Sequence, residues 1–198
     1  MLDADENCII TINGGTITVE AEGDGVDSNG YIYLNGGTVF VSGPTSSGNG
    51  SLDYGLGAEA NGGTFIAAGS AGMAESFTGG TQGSAVVSAS GSAGDALSVT
   101  DESGKTLVEY TPMKAFQCVI VSAPGMVDGG TYTLSVNGSQ TSFTASTSGS
   151  SNGRGMGGRM SGGPGGQGGP GGGRSWDGER GSMSSQSEQP KSSNATLV

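Results

Sequence analysis

Residues 23–41 read GDGVDSNGYIYLNGGTVFV. An Asp-Gly turn comes first, then Val26-Asp27, then the alternating run Tyr31-Ile32-Tyr33-Leu34. Asn35-Gly36-Gly37-Thr38 follows, then a second apolar run, Val39-Phe40-Val41. The chain writes this pattern three times. Aligned on Asn-Gly-Gly-Thr, the asparagine falls at 13, 35 and 61, at spacings of 22 and 26 residues. Apolar side chains recur at fixed places around each asparagine. Three before it stand Ile10, Ile32 and Ala58, and one before it Ile12, Leu34 and Ala60. Four after it stand Ile17, Val39 and Phe65, and six after it Val19, Val41 and Ala67. The neighbouring columns are mostly polar. Alternation of period two marks strands with one buried face.

A repeat of this size cannot bury its apolar face alone. Stacking the copies turns each column into an internal ladder of like side chains. The pattern therefore predicts an all-β chain, a parallel β-helix solenoid, with Asn-Gly-Gly bending the chain between two strands of a rung. Glycine permits positive φ and asparagine tolerates it. A two-residue hairpin at Asn-Gly is the competing reading. The longer second repeat is expected to place its extra residues in a loop over 43–50. The rungs are assigned to residues 1–80. Residues 81–146 hold short β-type runs split by turn signals, with hairpin turns expected at Asp101-Glu102-Ser103-Gly104 and Val136-Asn137-Gly138-Ser139. They are expected to be either degenerate rungs or a C-terminal cap. From 147 to 198 the chain is rich in Gly, Ser, Gln and Pro. Too little apolar surface is present to offset the entropy of ordering, so a disordered tail is expected.

Charge excludes several partners. Fifteen acidic residues and only Lys105 and Lys114 precede residue 151, and histidine is absent. Such a body repels nucleic-acid phosphates and acidic lipids and suits cations. No run of about 18 apolar residues exists, so no membrane insertion by a helix is expected. The first residues lack the basic start and apolar core of a signal peptide, and the natural N-terminus is expected upstream. Cys8 and Cys118 sit in apolar runs and read as buried thiols.

The aspartates are the first candidate site. Asp5, Asp27 and Asp53 each precede an Asn-Gly-Gly by eight residues and would stack in one column. Asp3, Asp24 and Asn49 fall around the same turn. Stacked carboxylates repel unless a cation lies among them, and Ca2+ takes six to eight oxygen ligands. Asp3, Asp5, Asp24, Asp27, Asn49 and Asp53 are thus candidate calcium ligands. Asx-turns, each aspartate bonding its own backbone, are the alternative. Tyr31, Tyr33 and Phe40 lie in outward columns and Tyr54 follows Asp53. Exposed aromatic rings offer flat faces to sugar C–H groups, so these four are candidate glycan-binding residues. Residues 1–104 contain no Lys, Arg or His. Asp24 and Asp27 are the nominal paired carboxylates for hydrolysis, but both are claimed by the calcium reading. No catalytic residue is assigned.

The run GDGVDSNGYIYLNGGTVFVSGP, the run SLDYGLGAEANGGTFIAAGSAGMAES, the block TPMKAFQCVIVSAPGMVDGGTYTL and the Gly/Pro/Met-rich tail together resemble the carbohydrate-binding β-helix proteins of clostridia and related bacteria. The resemblance spans about residues 3–145. It implies a right-handed parallel β-helix related to pectate lyases, with bound calcium. It also implies binding to polygalacturonate or cellulose-like polysaccharide, at the cell surface or after secretion. The expected protein is a monomer without enzymatic activity. A structural or adhesive surface spacer is the alternative, and a pectin lyase-like enzyme the third reading.

Overall fold

The computed structural model describes residues 4–149 and a strand at Ala195–Leu197. Asp3 and nearly all of the expected tail lie outside the described residues. Every regular element among the described residues is a strand, so the protein is all-β. The first pass of the chain makes β1 (Ile9–Ile12) and β2 (Thr16–Glu20). The second makes β3 (Val26–Ser28), β4 (Tyr31–Leu34) and β5 (Thr38–Ser42). The third makes β6 (Leu52–Tyr54), β7 (Gly57–Ala60) and β8 (Thr64–Gly69). Then follow β9 (Gly79–Gly80), β10 (Ser84–Gly91), β11 (Leu97–Asp101), β12 (Thr106–Tyr110), β13 (Phe116–Ser122), β14 (Thr131–Val136), β15 (Ser139–Thr144) and β16 (Ala195–Leu197).

The three passes pair in parallel, each strand with its counterpart. Ile10 lies opposite Ile32, and Ile32 opposite Ala58. Ile17, Val39 and Phe65 form a second ladder, and Val19, Val41 and Ala67 a third. Val26 lies opposite Leu52. These are the apolar columns of the sequence, and from the second pass onward they are almost wholly buried. Full burial of one such side chain is worth about 1.5–3 kcal/mol, so the inward ladders carry much of the stability. The first pass is more open, with Ile10, Ile17 and Val19 only partly buried. Part of its edge is covered by β16, which pairs with β1 in parallel.

The bend between strands differs in one respect from expectation. Positive φ falls on the second glycine of each Asn-Gly-Gly, at Gly15, Gly37 and Gly63, and not on the asparagine. The asparagines instead hydrogen-bond one another. Asn35 Nδ2 donates to Asn13 Oδ1 at 3.0 Å, and Asn61 Nδ2 donates to Asn35 Oδ1 at 3.3 Å. An amide carries both donor and acceptor, so it can extend a ladder through every pass. The loop over 43–50 takes up the extra length of the second repeat, as expected.

After β8 the pairing changes sense. β13 lies antiparallel to β8, and β10 antiparallel to β13. β11, β12, β14 and β15 form a separate antiparallel sheet. Its hairpins turn at the two predicted places; in the second, Asn137 and Gly138 both have positive φ. That is the combination which Asn-Gly supplies to a tight hairpin. The described part of 81–146 is thus antiparallel. This sheet packs on the outward side of β8, β10 and β13, burying Ile66, Ala68, Val119 and Val121 together with Leu97, Val99, Leu134 and Phe143. The strands β8 and β13 are covered on both faces, which explains their near-continuous apolar runs.

Gly37 is the position most sensitive to this geometry. Its φ is +82°, and a Cβ there would lie 2.6 Å from the backbone carbon of Gly14. Gly37→Ala is expected to lower the unfolding free energy by about 1–3 kcal/mol. Gly48→Ala, in the exposed loop with no such crowding, is expected to be near neutral. Urea denaturation of the two variants checks this.

Candidate functional site

Parallel stacking sorts the remaining side chains onto distinct outer faces. On the face of β1, β4 and β7, the outward columns are Ile9–Tyr31–Gly57 and Thr11–Tyr33–Glu59. Tyr31 and Tyr33 stand two apart on β4, so they share that face. Their ring centroids are 6.0 Å apart and the planes differ by only 21°. Both are half-buried. Gly57, opposite Tyr31, has no side chain to compete for the surface. The result is a stacked aromatic pair with the exposed Glu59 as the ladder partner of Tyr33.

The other two predicted aromatics do not join this pair. Phe40 points outward from β5, but it packs against the second core and stacks on Tyr110, centroids 5.3 Å apart at 23°. Tyr54 lies on β6, half-buried, and its hydroxyl donates to the Ser76 carbonyl at 2.6 Å. Burial, with the charge of Glu75 second, holds its phenol well above the usual range. Of the four predicted glycan-binding residues, Tyr31 and Tyr33 are brought together. Phe40 and Tyr54 sit in separate surroundings, because their columns belong to different strands of each pass.

The acidic column is also divided. Asp27 and Asp53 are direct partners across β3 and β6. Burial raises the Asp27 carboxyl, and the charges of Asp53 and Asp24 raise it further. Asp5 is not in the column. Its backbone N–H donates to the Asn29 carbonyl at 3.0 Å, which places it against the following turn. Its carboxylate accepts from the backbone and side chain of Asn7 at 2.9 Å each, closing an Asx-turn that lowers its pKa. Among the described residues the first pass has no strand matching β3 and β6, so local bonds decide the conformation there. Asp24 Oδ1 accepts from the Gly50 N–H at 2.8 Å, stitching the second pass to the third. Asn49 lies in the 43–50 loop, its N–H directed at the Ser46 carbonyl. Asp3 is outside the described residues.

One acidic residue escaped the sequence reading. Glu75 is half-buried, and burial followed by the charge of Asp53 raises its carboxyl, with Tyr54 hydrogen-bonding in the opposite sense. Ser76, next to it, lies 22 residues beyond Tyr54, the same interval as the first repeat. A search for a fourth pass would have found Glu75. Asp24, Asp27, Asp53 and Glu75 thus crowd one side of the molecule. Among the described residues, no three such side chains converge closely enough to hold a metal ion as they stand. The donors are nonetheless all oxygen, the chemistry that Ca2+ takes. Neither a protein-family model, nor a curated protein, nor a solved structure matches this chain.

The raised Asp27 carboxyl has a definite sign in stability. Its charged form is disfavoured on folding, a penalty present above the folded pKa and absent below the unfolded value of about 3.9. In the metal-free protein Asp27→Asn is therefore expected to raise Tm at pH 7, with the gain vanishing near pH 3. Thermal melts of both proteins across pH 3–7 measure it.

Proposed function

We propose that this protein is a non-catalytic, calcium-dependent polysaccharide-binding protein, built as a right-handed parallel β-helix and secreted or displayed on a bacterial surface. The observation that carries the reading is the Tyr31–Tyr33 pair, its rings stacked nearly parallel on the outward face of β4. Two neighbouring tyrosines on one outward face offer apolar ring surface to sugar C–H groups, and the two hydroxyls supply polar handles. The in-register ladders support the β-helix, since each pass pairs with the next at the sequence period. The resemblance to clostridial carbohydrate-binding proteins points the same way.

Calcium enters through the acidic side. Asp27, Asp53, Asp24 and Glu75 repel one another, and Lys105 and Lys114 are the only basic residues between 4 and 149. A divalent cation would relieve that repulsion. The carboxylates would have to draw together around it, so calcium would stiffen the turns between passes. It would also let an acidic protein hold an acidic polymer such as polygalacturonate by bridging carboxylates. A cellulose-like glycan would need only the tyrosine face. No base is assigned for β-elimination, and Asp24 is already engaged in a structural bond.

The test is retention on polygalacturonate and on cellulose, with calcium and with EDTA. Wild type is expected to be retained. Tyr31→Ala and Tyr33→Ala are each expected to weaken retention about two- to tenfold, the worth of one aromatic contact. Absence of binding to both polymers in calcium would sink the proposal. Metal removal is expected to lower Tm as well as uronate binding. An unchanged Tm in EDTA would remove calcium from the reading.

A further inference from the structure

The outward side of β2, β5 and β8 is covered unevenly by the second sheet. Thr18, Phe40 and Ile66 are ladder partners on that side. Ile66 is buried, Phe40 half-buried and Thr18 exposed. The cover therefore lifts away along one ladder and leaves a wedge. This cleft, about 340 Å3, is lined by Thr18, Phe40, Glu109, Tyr110 and Thr111. By volume it lies at the small end of ligand clefts, which run about 300–1,000 Å3, and it is a shallow hollow open to solvent. Its rim residues Thr18, Glu109 and Thr111 are exposed, so a polymer can enter and leave.

The aromatic wall is held before any ligand arrives. Tyr110 stacks on Phe40, and its hydroxyl donates to Ser42 Oγ at 3.1 Å. The same Ser42 oxygen accepts from the Met113 N–H at 2.6 Å, which anchors the loop after β12. The charge around the cleft is negative. Glu109 lines it, and Glu20 is near enough to act on Tyr110. Lys114 is engaged elsewhere, donating to Glu22 Oε1 at 2.7 Å and to the Ala21 carbonyl at 2.8 Å. Among the described residues, no basic side chain lines the cleft.

Aromatic faces attract sugar C–H groups and also cations, through the negative face of the ring. A carboxylate beside them selects an ammonium and repels a uronate. We propose that the Phe40–Tyr110 cleft, with Glu109 at its rim, binds hexosamine units bearing free amines in a cationic polysaccharide. The pyranose rests against Phe40 and Tyr110, and its ammonium pairs with Glu109. Beyond Glu109 and Tyr110 a second hollow of about 340 Å3 carries Ser98 and Ser135, whose polar groups suit the next unit. This site stands on a different face from Tyr31 and Tyr33, and it depends on the proposed function only in taking a glycan.

The full-length protein is titrated calorimetrically with glucosamine oligomers, with their N-acetylated counterparts and with oligogalacturonate. Free-amine oligomers are expected to bind at least tenfold more tightly than the other two. Glu109→Gln and Phe40→Ala are each expected to weaken that binding about tenfold, while the Tyr31→Ala/Tyr33→Ala double variant leaves it unchanged. Glu109 is exposed, so its variant keeps the test valid if Phe40→Ala fails to fold. Equal affinity for acetylated and free-amine oligomers, indifference to Glu109→Gln, or no binding at all overturns the proposal. Loss of binding in the tyrosine double variant alone also overturns it, and assigns the glycan to the tyrosine face. Failure of polygalacturonate and cellulose retention with hexosamine binding intact would count against the proposed function only.

Discussion

The chain has to return to the same register on every pass, and the rest of the structure follows from that requirement. In-register parallel pairing puts like on like: isoleucine and leucine inward, asparagine against asparagine at the bend, aspartate against aspartate at the outer turn. The apolar ladders gain from this, because side chains of similar shape fill one continuous core. The bend tolerates it because glycine alone passes through positive φ against a backbone lying directly below. At Gly37 both conditions hold together. The charged column gains nothing: burial first, and the neighbouring charge of Asp53 second, raise the carboxyls of Asp27 and Glu75.

Parallel stacking leaves an edge wherever it stops, and unpaired edges invite association. At the far end the chain solves this with antiparallel strands. β13 pairs onto β8, β10 onto β13, and a small polar network ties the junction. Gln82 Nε2 donates to the Gly63 carbonyl and to Ser122 Oγ, and Ser122 Oγ donates to the Gly83 carbonyl. Cys118, buried at the same junction, directs its thiol at the Ser70 carbonyl, and burial raises it to about 11. Such a thiol is an inert structural group. At the near end, β16 borders β1, while among the described residues β2 is an edge.

The two outward-facing aromatic surfaces have different characters for a physical reason. Among the described residues no second sheet covers the outward face of β4, so Tyr31 and Tyr33 stay part-exposed there. β5 lies at the margin of the second sheet, so Phe40 acquires a wall, Tyr110, and a charged rim. Strands with similar outward residues therefore yield a platform in one place and a cleft in the other. The difference comes from what lies above each strand and not from the strand's own residues.

The repeat alignment determined the all-β class, the inward columns, the bend positions and the 43–50 loop, and local turn signals determined both hairpin turns, because period-two burial and the conformational needs of glycine act locally. It also paired Asp27 with Asp53, since their offset equals the ladder offset. It misplaced Asp5, where no partner strand exists and an Asx-turn wins. It did not reveal Glu75, which the loss of the Asn-Gly-Gly marker after the third pass concealed. It grouped Phe40 and Tyr54 with Tyr31 and Tyr33, because alternation says only that a side chain points away from the core. Which surface then covers that side chain depends on residues far along the chain: Tyr110 for Phe40, Ser76 and Glu75 for Tyr54. Only tertiary packing brings those together, and only it separates the platform from the cleft.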